Sequence, residues 1–124
     1  MPWVKVDAGL HQHPKVMAAG LDGVGLYVLA LTYCGDYLTD GFVPKAWVRM
    51  HASARVAQKV TDAGLWRPVA AGEQLNGSGL VARGDGFYVP DFTEWNHSKA
   101  EVEAFRAKKA AAGRKGAEAR WQMP

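Results

Sequence analysis

The sequence predicts an α+β fold, mainly α with a small β-hairpin, in one domain that is followed by a basic C-terminal helix. Three observations carry this reading. Apolar residues recur at helical spacing in several stretches before residue 65. Two β-branched and aromatic runs, Leu65-Trp66-Arg67-Pro68-Val69 and Phe87-Tyr88-Val89, flank a glycine-rich loop. The cations gather after residue 97.

A length of 124 residues suits one core with an appendage. Apolar residues at 48% against charged residues at 22% exclude a disordered chain, because a core can form. Residues 1–97 hold eight Lys and Arg against nine Asp and Glu, a net −1, whereas residues 98–124 hold seven against three, a net +4. The overall +3 is therefore a property of the tail.

The elements follow in order. Trp3, Val4 and Val6 form a short extended arm that ends near Gly9 and His13-Pro14. Pro14 suits the first turn of a short helix, Lys15 to Ala19, which Gly20 stops. Asp22 is a candidate N-cap for a central helix carrying Val24, Leu26, Tyr27, Leu29, Ala30, Tyr33, Cys34 and Tyr37 on more than one face. The Thr39-Asp40-Gly41 turn ends it, and Phe42-Val43 is long enough for a short strand. Pro44 opens a helix from Lys45 to about Met50, with Trp47 and Val48 facing inward. Ser53 caps the next one, with Val56, Val60 and Ala63 on one face and Arg55, Gln58, Lys59 and Asp62 on the other, and Gly64 closes it. The hairpin has a long tip, Ala70 to Gly86. From Ser98 an alanine-rich helix begins, which Gly113 and Gly116 weaken, so that its last dozen residues are expected to be helical only when bound.

The apolar run from Val24 to Cys34 falls short of the ~20 residues that span a membrane, and the first residues lack the pattern of a secretory signal. A soluble, cytoplasmic protein is expected, with no membrane partner. Cys34 is the only cysteine, so no internal disulfide or cysteine metal cluster can form. His11-Gln12-His13 has no ligand at a useful spacing beside it, and Gly23-Val24-Gly25 lacks both a preceding strand and a third glycine. No nucleophile elbow or paired carboxylates are present in the sequence, so an enzyme is not expected and no cofactor is implied.

Helix, helix, short strand, helix, tight turn, helix and hairpin is the layout of a winged helix-turn-helix, with residues 1–97 as the winged domain and 98–124 as the basic tail. In such motifs the second helix of the pair enters the major groove and the first crosses the backbone. Arg55 and Lys59 suit guanine or phosphate, Gln58 suits adenine, and Ser53 opens the helix whose first amides attract anions. Lys45 and Arg49 are placed to grip phosphates from the preceding helix, and Arg67 and Arg83 from the hairpin. The tail cluster of Arg106, Lys108, Lys109, Arg114, Lys115 and Arg120 attracts phosphate backbones whatever their sequence. Trp121, a large aromatic near the end of that tail, suggests docking on the domain or on a partner.

The opening WVKVDAGLHQHPKV, the passage GLYVLALTYCGDYLTDGFVP, the strand entry AGLW and the junction FYVPDFTEWNHSKAEV resemble small helix-turn-helix proteins encoded by actinobacterial phages. These are similar to the winged-helix N-terminal domains of phage replisome organisers and DnaD-type primosomal proteins. The resemblance covers about residues 3–110 and implies double-stranded DNA as the partner, in replication or transcriptional regulation. A replication or regulatory protein is a further possible partner, and the alternative is a protein-interaction adaptor anchored by Phe105 and Trp121.

Overall fold

The structure, a computed structural model, describes residues 3–76, 79–96 and 98–122, with the side chains of 94, 95 and 117–122 outside the description. It is an α+β domain whose elements run α1 (Pro14–Tyr37), β1 (Phe42–Pro44), α2 (Lys45–His51), α3 (Ala54–Asp62), β2 (Arg67–Val69), β3 (Gly86–Tyr88), the single turn α4 (Phe92–Trp95) and α5 (Lys99–Gln122).

The N-terminal arm leads into a 3-10 turn at Leu10–Gln12. His13 then caps α1, its Nδ1 accepting from the Lys15 amide at 3.2 Å, and Pro14 occupies the first turn as expected. Gly20 bends α1 sharply, with φ +75° and ψ 170°, a conformation that costs glycine little and other residues much. The two helical pieces on either side correspond to the two helices expected from the sequence. Downstream of the bend, Asp22 accepts from the Gly23 amide at 2.8 Å.

By length and composition α1 could cross a membrane. In this fold it is the core helix. Its Val16, Ala19, Leu26, Ala30, Leu31 and Cys34 are buried with Val48 of α2, Ala57 and Val60 of α3, and Leu65, Trp66, Val89 and Phe92. Burial pushes the Cys34 thiol up to about 11, as befits a small core residue.

The sheet is larger than the expected hairpin. β1 and β2 both pair antiparallel with β3, giving the order β1-β3-β2, with Phe42 opposite Tyr88 and Arg67 opposite Tyr88 on the other side. Leu65 and Trp66, read as strand residues, instead point into the core ahead of β2, where Trp66 stacks on Phe87 at 4.5 Å. The described parts of the long tip, 70–76 and 79–86, pack back toward the sheet. Leu75 and Ala82 join Phe42, Val69 and Tyr88 in a second small core, and an isolated bridge links Gln74 to Val81.

The C-terminal helix α5 is continuous from Lys99 to Gln122, through the two glycines expected to weaken it. Gly113 and Gly116 each cost a helix roughly 1 kcal/mol relative to alanine, and the alanines, lysines and arginines around them are strong helix formers. Ser98 caps α5: its hydroxyl accepts from the Glu101 amide at 3.2 Å and donates to the Glu101 carboxylate at 3.3 Å. Asp40, in a left-handed turn with φ 57°, accepts from the Lys99 amide at 2.6 Å and so ties the start of α5 to the body.

Candidate nucleic-acid interface

The helix pair α2–α3 is built from local signals. Pro44 supplies extended backbone before α2, and the Lys45 amide donates to the Asp85 carbonyl at 3.0 Å, joining the helix start to the sheet. Ala52 and Ser53 are both extended, which ends α2 and lets the Ser53 hydroxyl accept from the Val56 amide at 3.3 Å. Two residues thus separate the helices.

Ala57 and Val60 are the buried face of α3, with Val56 and Ala63 partly buried against the same core. The face is rotated from the expected Val56–Val60–Ala63 stripe. As a result Lys59 leans toward α1, where its ammonium lies 3.0 and 3.2 Å from the two Asp22 oxygens. Lys59 holds the Asp22 carboxyl below its usual range, aided by the Gly23 amide. Gln58 donates to Asp62 at 2.8 Å, one turn along the same helix. Arg55 is exposed and has no ion-pair partner among the described residues.

Between α2, α3 and the sheet lies a cleft of about 380 Å³. Val48, Ala57, Pro68 and Phe87 contribute its apolar wall, and Lys45, Arg49 and Gln58 its polar rim, with Ser53 at the helix junction. Arg55 lies three residues before Gln58 and four before Lys59, so it shares that helical face. The structure therefore brings Lys45, Arg49, Ser53, Gln58 and Arg55 into one neighbourhood.

The hairpin cations lie elsewhere. Arg67 pairs with Glu73, donates to the Leu75 carbonyl at 3.2 Å and lies over the Tyr88 ring at 5.4 Å, bracing the folded tip. Its hydrogen bond to Glu73 keeps that carboxyl below its usual range. Arg83 is exposed in a different hollow, which it lines with Lys99, Asp40, Leu80 and Val81. On α5, Arg106, Lys108, Lys109, Arg114 and Lys115 are all exposed, spread around the helix rather than along one stripe, and the Arg120 and Trp121 side chains lie outside the described residues.

Residues missed from the sequence are Asp22 as the partner of Lys59, Asp40 as the anchor of α5, and Asn96, whose side chain accepts from the Lys5 amide at 2.7 Å and holds the arm. Each contact joins residues far apart in the chain, so no local pattern could reveal it. No family model, curated protein or solved structure matches this chain.

Proposed function

We propose that this protein is a DNA-binding module of the winged helix-turn-helix type, acting in replication initiation or transcriptional regulation, in which α3 enters the major groove and α2 lies across the backbone. The observation that carries the reading is the α2–α3 pair itself, joined by Ala52 and Ser53, with Lys45 and Arg49 on the cleft rim and Arg55 exposed on the outer face of α3. The element order and the sheet order β1-β3-β2 support a winged arrangement, with the β2–β3 tip as the wing. A helix fits the ~12 Å major groove, and arginine is the commonest reader of guanine there.

In this reading Arg55 reads bases, Lys45 and Arg49 hold phosphates, and the cations of α5 add attraction without regard to sequence. The test is a fluorescence-polarisation titration of duplex DNA at several salt concentrations, followed by selection of a preferred site. Affinity is expected to fall steeply with salt. Arg55→Ala is expected to lower discrimination between preferred and scrambled duplex by ~1 to 3 kcal/mol, and Lys45→Ala to weaken both alike. An unchanged ratio in Arg55→Ala removes α3 as the reader.

One observation favours a second reading, a protein-interaction adaptor. Three of the expected DNA-contacting side chains, Gln58, Lys59 and Arg67, are engaged within the molecule. Salt-independent binding, or no duplex binding at low salt, favours the adaptor.

A further inference from the structure

A second groove lies away from the α2–α3 cleft, between the N-terminal arm and α5, with a volume of about 570 Å³. Phe92 contributes to its wall from the core side. Trp3 from the arm and Phe105 from α5 line it, and both are open to solvent, at 91% and 67% exposure. Lys5, Arg106 and Lys109 line it as well, and no carboxylate does among the described residues.

Both walls are fastened. Lys5 is held through its backbone amide by Asn96, which places Trp3 two residues away at the mouth of the groove. The arm lies close against α1 because position 35 is glycine: a Cβ there would stand 2.4 Å from Val4 Cγ2. The opposite wall is fixed at its base by the Asp40–Lys99 bond and by the Ser98 cap of α5.

Such a groove combines two features with different demands. Three cations with no carboxylate beside them among the described lining residues call for a polyanion. Two large aromatic side chains left in water call for flat apolar partners that can stack, and an acidic peptide does not supply these along its length. A duplex supplies the charge but hides its base faces in its own stack. A single strand supplies both, with phosphates for Lys5, Arg106 and Lys109 and open base faces for Trp3 and Phe105.

We propose that the groove between the arm and α5 binds single-stranded nucleic acid, with bases stacked on Trp3 and Phe105. This goes beyond the duplex reading of α3, and uses residues that the reading does not need for groove recognition.

The test uses the full chain and a labelled oligothymidylate of about 12 nucleotides, beside an abasic strand of equal length and charge. Trp3→Ala and Phe105→Ala are each expected to weaken oligothymidylate binding at least about 5-fold, the loss of one stacked base, while Trp3→Phe and Phe105→Trp retain it. Duplex affinity should stay unchanged in all four variants, and the abasic strand should bind the native protein much more weakly than oligothymidylate. Thermal melting checks that the alanine variants are folded, which the exposure of both rings favours. Equal binding of the abasic strand overturns the proposal, as does native affinity in both alanine variants, a parallel loss on duplex and single strand, or competition by polyglutamate as effective as unlabelled oligothymidylate. Arg55→Ala should leave oligothymidylate binding unchanged, and the native protein separates the two readings: oligothymidylate binding with no duplex binding would sink the reading of α3 and leave this groove standing.

Discussion

Releasing Lys59 from Asp22 should turn a structural cation into a DNA-binding one. Its ammonium sits 3.0 and 3.2 Å from the two Asp22 oxygens, and its side chain is 37% exposed, so the group is engaged but within reach of solvent. It lies four residues after Arg55 and so shares the outer face of α3. Asp22→Asn removes the negative charge while the amide oxygen still accepts from the Gly23 amide, so the start of that helical segment keeps its contact. Each phosphate neutralised on a duplex steepens the dependence of log affinity on log salt by about 0.9. One added contact therefore multiplies the loss of affinity between 50 and 200 mM salt by about 3.5. Fluorescence polarisation at those two concentrations reads this directly. Lys59→Ala in the native background should barely change the slope, and in the Asp22→Asn background should abolish the gain. An unchanged slope in Asp22→Asn, or a gain that survives removal of Lys59, refutes the reasoning.

Val60 is fully buried between α3 and α1, so Val60→Ala should cost about 1.5 to 3 kcal/mol, read as a lowered urea midpoint, whereas half-buried Val56→Ala should cost less. Cys34, buried and with its thiol pushed up to about 11, should react with a thiol reagent at pH 8 only at the rate of unfolding, and faster labelling would contradict its place in the core. Asp22 and Glu73 both have lowered folded-state values, so the stability they contribute is present above the unfolded carboxylate range and is lost as pH falls through the folded values. Acid titration of Asp22→Asn should accordingly show a shallower loss below about pH 4 than the native protein. Truncation after Ser98 should leave the melting transition cooperative, because no α5 residue belongs to either core cluster, while weakening every duplex by a similar factor.

What the sequence made legible is what local chemistry decides. Pro14, Pro44 and Ser53 mark helix starts through a missing amide or a side-chain cap, and Gly20 and Gly64 mark stops, so the order of the helices up to residue 64 could be read directly. The pairing of β1 with β3 could not be, since it joins Phe42 to Tyr88 across 46 positions and depends on the whole intervening fold. The tip from Ala70 to Gly86 was unreadable for a related reason. Its glycines suggest an open loop, but Leu75 and Ala82 reach a small core that Phe42 and Tyr88 create from elsewhere in the chain. At the candidate interface, periodicity placed Arg55, Gln58 and Lys59 together on α3, and all three do lie on its outer side or flank. Nothing local told that the helix is rotated enough for Lys59 to find Asp22, 37 positions away.

Those long-range contacts bear on how the molecule can meet a polyanion. Residues 1–97 carry a net −1, and within them the Asp22 and Glu73 pairings engage two of the eight cations. The α2–α3 face is left with Lys45, Arg49 and Arg55, enough to orient a duplex but few to attract one against a slightly negative body. On the proposed reading attraction would come from α5, whose cations are spread around the helix rather than along one stripe. A helix charged on every side cannot lie flat against one surface with all its cations in contact. It can, however, present Arg106 and Lys109 to the arm groove while Lys108 and Lys115 face outward. The charge distribution of α5 is thus compatible with two polyanion surfaces, as the two proposals, duplex at α3 and a single strand against the arm, together require.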